Sequence, residues 1–128
     1  MLGNHLQAEI AFDLQRTLST LTEDCLFEDV ARGIVYRGKS SVGDYYKEWW
    51  TTFEIEPVDI RSHVVSEEFL VVETRFRGFH RKSWEGIAAT GKAIDLPVTI
   101  FITLRDGLMA GERFYYDRAT LLDQIARS

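Results

Sequence analysis

The chain has 128 residues, 45% hydrophobic and 27% charged, with a net charge of −5 at neutral pH. That length fits one domain, residues 1–128, with enough core to bury roughly two-thirds of its unfolded surface. The acidic balance, with no lysine or arginine cluster to oppose it, argues against a nucleic-acid backbone as partner.

The single cysteine, Cys25, excludes an internal disulfide and gives no zinc-ligand spacing, which fits a reducing cytoplasm. The start, MLGNHLQAEI, lacks the basic, then apolar, pattern of a signal peptide. No run approaches the roughly 18 apolar residues that span a bilayer, so no membrane partner is expected. His5, His63 and His80 lie far apart without helical ligand spacing, and GKS at 38–40 lacks the upstream glycine of a phosphate loop. No metal or other cofactor is expected.

Leu6, Ile10, Leu14, Leu18 and Leu21 recur every three or four residues, which predicts an amphipathic first helix capped by Asn4. The stretch CLFEDV reads as extended. A second helix follows, with Ser41 and Asp44 at capping-box spacing and a wide aromatic face of Val42, Tyr45, Tyr46, Trp49, Trp50 and Phe53.

From Pro57 the period shifts towards two and β-branched residues become frequent. Strands are predicted at about 58–65, 69–79, 92–104 and 110–116, with turns at SEE and at Asp106-Gly107. Pro97 cannot donate to a ladder, so it should occupy an edge or bulge. A last helix, capped by Asp117, should turn Leu121, Leu122 and Ile125 inward. Helices first and long antiparallel strands second make an α+β fold. A strongly bent, mostly antiparallel sheet wrapped around the N-terminal helices would form a cone.

Alternation sorts the side chains of 71–80 into two rows. Glu73, Arg75 and Arg77 share one face, and Thr74, Phe76, Gly78 and His80 share the other. Unpaired charges rarely face a core, so the second row points inward and ends at His80. A histidine there is either hydrogen-bonded at the rim or able to move protons near neutral pH. Tyr46, Trp49, Trp50, Phe76, Phe101 and Phe114 lie on faces that a core would fill, and rings around a bent sheet commonly leave an apolar cavity. Trp84 and Ile87 fall in a loop, where large apolar residues suggest a lid.

The segments FEDVARGIVYRGKSSVGDYY, FRGFHRKSWEGIAATGKAIDLP and RDGLMAGERFYYDRATLL resemble the SnoaL-like branch of the nuclear transport factor 2-like superfamily. The resemblance covers nearly the whole chain. It implies the cystatin-like cone, an apolar small molecule inside it, a homodimer, and cofactor-independent chemistry of the polyketide cyclase or ketosteroid isomerase kind. Two departures concern the mouth: Val30 and Ala88-Ala89 stand where relatives carry proline, which should loosen those loops.

A third departure concerns the chemistry. The resemblance places the catalytic carboxylate seven residues after the hairpin glycine, and that position is Phe114. Glu112, Phe114 and Tyr116 then form the inward row. An epoxide hydrolase would also need an Arg-x-Asp pair on the preceding strand, and ETRFRGFH has none, so that reaction is disfavoured. Two readings stay open. In the first, an isomerase or cyclase acts on a polyketide- or steroid-like carbonyl compound, with Glu112 as base, His80 or Asp29 as acid or oxyanion partner, and Tyr116 as donor. Tyr46, Trp50, Phe76, Trp84, Phe114 and Tyr116 would line its ligand. In the second, the domain is a ligand-binding or dimerisation module that has lost the reaction. Glu112 could equally pair with an arginine, and Asp29 could simply cap a loop.

Overall fold

A computed structural model of the chain describes residues 13–126. The first described helix, α1 (Leu14–Ser19), is capped by the Asp13 carboxylate, which accepts from the Arg16 N–H at 3.0 Å. Asn4, Leu6 and Ile10 lie outside the described residues. Leu21 is not on this helix. The Thr20 N–H turns back to the Thr17 carbonyl, and Leu21 opens β1 (Leu21–Asp29), where it is buried against the core from a strand instead.

A short strand not anticipated from the sequence, β2 (Ile34–Arg37), pairs antiparallel with β1. It leads directly into α2 (Gly38–Phe53), which begins at Gly38 with Arg37 at its N-cap and no side-chain capping bond. Ser41 and Asp44 therefore lie inside the helix rather than forming a capping box at its start. The aromatic face is buried as its spacing predicts. Glu54 ends the helix in the left-handed region at φ 48°, and its N–H donates to the Trp50 carbonyl at 2.9 Å.

The remaining strands are β3 (Glu56–Ser66), β4 (Phe69–Phe79), β5 (Ala93–Arg105) and β6 (Leu108–Tyr116), followed by α3 (Arg118–Ala126). The six-stranded sheet has the order β2-β1-β6-β5-β4-β3. Only β1 and β6 pair in parallel, so the sheet is mixed and mostly antiparallel. Asp106 and Gly107 join β5 to β6 with φ of 53° and 76°, the pair of positive values a two-residue hairpin needs.

Pro97 sits on an interior strand, yet β6 reaches only as far as Val98. On the side β6 vacates, Gln124 of α3 takes both the N–H and the carbonyl of Asp95, each at 2.9 Å. Pro97, two residues on, turns its donorless nitrogen to the same side, so the locally unpaired edge is what admits it.

The inner face of the sheet packs on α2. Gly78 marks the closest approach: a Cβ there would lie 2.1 Å from the Phe53 carbonyl oxygen. Leu121 and Ile125 close the core from α3, with Leu122 half-buried beside it. Asp117 caps α3, accepting from Ala119 N at 3.0 Å and from the Thr120 hydroxyl at 2.9 Å. Phe101 is not core. Its register partner is Arg113, and it lies on the outer face against Phe69 and Tyr115. No helix among the described residues is long and apolar enough to cross a membrane.

Candidate functional site at the mouth of the cone

The inward rows alternate as expected. Val72, Thr74 and Phe76 are buried on β4 and His80 just past its end, and Glu112 and Phe114 are buried on β6, with Tyr116 half-buried after them. What fills the space between these rows and α2 is rings. Phe114 packs against Tyr45 at 5.0 Å, Trp49 at 6.2 Å and Tyr116 at 6.2 Å between centroids. Tyr46, Trp50 and Phe76 share a cavity of only about 10 Å³ with Tyr45, Trp49, Ile55 and Pro57. That is scarcely room for one water.

The polar centre lies at the end of β1. Asp29 is fully buried in register with Phe114, and the turn after it brings Arg32 back over its carboxylate. Arg32 Nε donates to Asp29 Oδ2 at 2.5 Å, and its backbone N–H donates to Oδ1 at 3.1 Å. The Tyr116 hydroxyl donates to the same Oδ2 at 3.0 Å. The far edge of the guanidinium donates to Glu48 Oε1 at 2.9 Å and to the Tyr36 hydroxyl at 3.2 Å. Trp49 and Trp84 pack beside it, with ring centroids 5.5 and 5.4 Å from Cζ.

Burial of Arg32 would push its guanidinium down, but the hydrogen bonds and charges of Glu48 and Asp29 outweigh that and hold it above its ordinary value. Burial, reinforced by the Asp29 charge, pushes the Tyr116 phenol up. Tyr116 thus stays protonated at neutral pH and works as a donor. Arg32 is absent from the sequence reading. Its only signal is a carboxylate and an arginine three residues apart in a turn that ends at Gly33.

Val30 follows Asp29 and donates its N–H to the Phe114 carbonyl at 3.3 Å. A proline could not do so. The substitution expected to loosen this loop therefore adds a bond to the β1–β6 ladder.

The 81–92 segment covers the mouth. His80 and the residues after it clamp its base, with His80 N donating to Lys92 O at 2.9 Å and Gly91 N to His80 O at 2.8 Å. Within it, Trp84 and Ile87 exchange both backbone bonds across Glu85-Gly86, whose φ values are 50° and 80°. This tight turn holds the Trp84 ring against Trp49 at 6.0 Å and Phe53 at 5.5 Å, and the ring is only 3% exposed.

His80 is fully buried and stacks on Phe53 at 5.6 Å. Its Nδ1 accepts from the Thr90 N–H at 3.3 Å and contacts the Thr90 hydroxyl at 3.0 Å, so the proton belongs on Nε2. Burial lowers its pKa. The Lys82 backbone, as a hydrogen-bond partner of the ring, opposes this more weakly.

The structure therefore brings Asp29 and Tyr116 together and keeps the other candidates apart. Glu112 lies four residues from Tyr116 along β6, about 13 Å of strand, with Phe114 between them. His80 is separated from the Asp29–Arg32 pair by Phe53, Trp49 and Trp84. No cluster of three or more His, Cys, Asp or Glu able to hold a metal occurs among the described residues.

Residues 8–125 match the family model of the SnoaL-like polyketide cyclases. The chain belongs to that family. Its fold is that of a candidate polyketide cyclase from Silicibacter sp. TM1040, with TM-score 0.91 and 23% identity over 98% of this chain and 93% of the other. A candidate polyketide cyclase from Pseudomonas putida KT2440 superposes with TM-score 0.88 and 21% identity, covering 97% and 94%. A Catenulispora acidiphila protein with a ketosteroid isomerase-like fold, solved in complex with trimethylamine, gives TM-score 0.81 and 12% identity over 99% and 92%. No curated protein matches the sequence. At such identities the structures establish the SnoaL and ketosteroid isomerase-like fold, and the reaction has to be argued from the site.

Proposed function

We propose that this SnoaL-like protein binds a small, flat, apolar carbonyl compound, a polyketide- or steroid-like ring system, beneath the Trp84 turn, and that binding rather than catalysis is its principal role. The observation that carries this is Phe114. It is a buried ring among rings at the position where the family resemblance calls for a carboxylate. Tyr46, Trp50, Phe76, Trp84, Phe114 and Tyr116 supply the stacking surfaces, and Trp84 must lift for a ligand to enter the filled cone.

Native mass spectrometry of the purified protein tests it. A co-purifying apolar compound is expected. A ligand-free protein that also fails to retain polycyclic ketones in calorimetry would remove the reading.

One observation favours a second reading, a proton-transferring isomerase or cyclase. A buried carboxylate accepting from a phenol sits at the mouth, where a developing enolate would take the Tyr116 hydrogen bond while Asp29 receives a proton. Tyr116→Phe would abolish turnover of a bound ketone while leaving its binding intact. A homodimer through the outer sheet face, where Phe79 and Tyr115 are exposed, completes the proposal. Light scattering showing a monomer would exclude it. The free, buried Cys25 suits a cytoplasmic setting.

A further inference from the structure

The two edges of the sheet are finished differently. One is β2, only 4 residues long and followed at once by α2. The other is β3, 11 residues long, which pairs with β4 on one side and with no described strand on the other. An open edge is a template for another strand, and proteins blunt it with proline, bulges or short length.

Those devices protect only the first half of β3. Pro57 stands near its start, and a register shift between Val58 and Arg61 carries Asp59 at φ 52°. From Arg61 to Glu68 every residue is exposed. Val64 and Val65 are 79% and 64% exposed, the highest values of any large apolar side chain among the described residues. β-branched side chains on a bare edge favour a further strand.

Charge selects that strand. Arg61 faces Glu73 across the ladder, but His63 holds the Glu73 carboxylate at 2.7 Å. Among the described residues Arg61 enters no ion pair, and neither do Glu67 and Glu68 in the turn that follows. The segment therefore carries a free cation before Val64 and free anions after it. Turned about a two-fold axis at Val64, it complements itself: Val64 meets its own counterpart, His63 meets Val65, and Arg61 meets Glu67, each contact made twice. An axis at His63 instead would set histidine on histidine and Asp59 against Glu67.

We infer that residues 61–67 pair antiparallel with the same segment of a second copy of this chain, joining two sheets edge to edge. The contact is separate from a dimer through the outer sheet face and does not depend on a ligand. One strand edge buries less than a permanent interface needs, so the association is weak and follows protein concentration.

Sedimentation velocity of the full chain over about 5 to 500 µM tests it. Whatever species is present when dilute, its mass should at least double at the upper end. Val64→Lys sets lysine against lysine on the axis at an exposed position and should hold the dilute mass throughout. Arg61→Glu should weaken the association roughly tenfold, because the axis counts the lost pair twice. Adding Glu67→Lys to it should restore the wild-type behaviour.

A wild-type mass that ignores concentration would overturn the proposal. So would a Val64→Lys variant that associates normally, which would leave the outer sheet face as the contact. An Arg61→Glu variant that associates as wild type does, or a charge reversal that restores nothing, would overturn the paired strand in favour of an unspecific apolar patch.

Discussion

Replacing Arg32 by methionine keeps the length and the apolar stem and removes the charge. Asp29 is fully buried, and the Arg32 side chain is 6% exposed, so neither group can turn to water when the other is lost. Asp29 would keep the Tyr116 hydroxyl and the residue-32 N–H, and would lose the 2.5 Å bond that neutralises it. Breaking a buried pair from one side costs about 3–5 kcal/mol. For a urea slope of about 1.5 kcal/mol/M, the unfolding midpoint should fall by roughly 2–3 M. The double variant Asp29→Asn/Arg32→Met removes both charges and should recover at least about 1 kcal/mol of that loss, a coupling that chemical denaturation in a double-mutant cycle measures directly. A loss below about 1 kcal/mol in Arg32→Met, with additive effects in the double variant, would show that the pair is solvated and that the mouth is not held shut as argued.

Other consequences follow from single contacts. His80 is held below its ordinary value of 6.5 by burial, so below that pH the unfolded chain binds a proton the folded chain refuses. Stability should be fully present above pH 6.5 and decline as pH falls beneath it. Denaturation of His80→Gln between pH 7.5 and 5 should lack this component, and parallel pH profiles would refute it. Gly78→Ala sets a Cβ 2.1 Å from the Phe53 carbonyl oxygen and 3.0 Å from that of Glu54, both backbone atoms that cannot swing aside. It should cost at least about 2 kcal/mol, read as a fall in Tm of several degrees, and an unchanged Tm would mean that α2 and β4 can separate freely. Tyr116→Phe leaves Asp29 with Arg32 but without its phenol. A loss of about 1–2 kcal/mol is expected from the denaturation midpoint, and no loss would mean the hydroxyl is not bonded there.

Much of the architecture is legible in the sequence because it rests on periodicity. The aromatic face of α2, the inward rows of β4 and β6, the Asp106-Gly107 turn and the Asp117 cap each follow from spacing or residue chemistry alone. Leu21 misleads because an apolar residue at helical spacing serves equally well as the first buried residue of a strand. Phe101 misleads because an aromatic on an outer face, stacked on Phe69 and covered by Arg113, has the same pattern as one in a core. At the site, sequence points to acids and a histidine by type, whereas the arrangement depends on Arg32. A lone arginine in a turn carries no pattern, and only the fold brings Glu48 and the two tryptophans around it.

Asp29 and Phe114 stand opposite each other in the β1–β6 register. Paired positions on adjacent strands lie about 5 Å apart, so an aspartate at 114 would set a second carboxylate beside Asp29. One of the two would then be driven to hold a proton, the condition of a carboxyl working as an acid or base near neutral pH. With phenylalanine there, Asp29 has no carboxylate neighbour across the ladder and keeps Arg32 as its ion-pair partner. Phe114→Asp should reverse this. The added carboxyl should titrate well above its unfolded value, so the variant should lose most stability at pH 7.5, where the folded state must ionise or refuse the charge. It should recover towards wild type as pH falls to 4.5. Urea midpoints at the two pH values decide it. A deficit equal at both would mean the new side chain turns out to solvent, and Phe114 would then be a packing choice unconnected to the charge on Asp29.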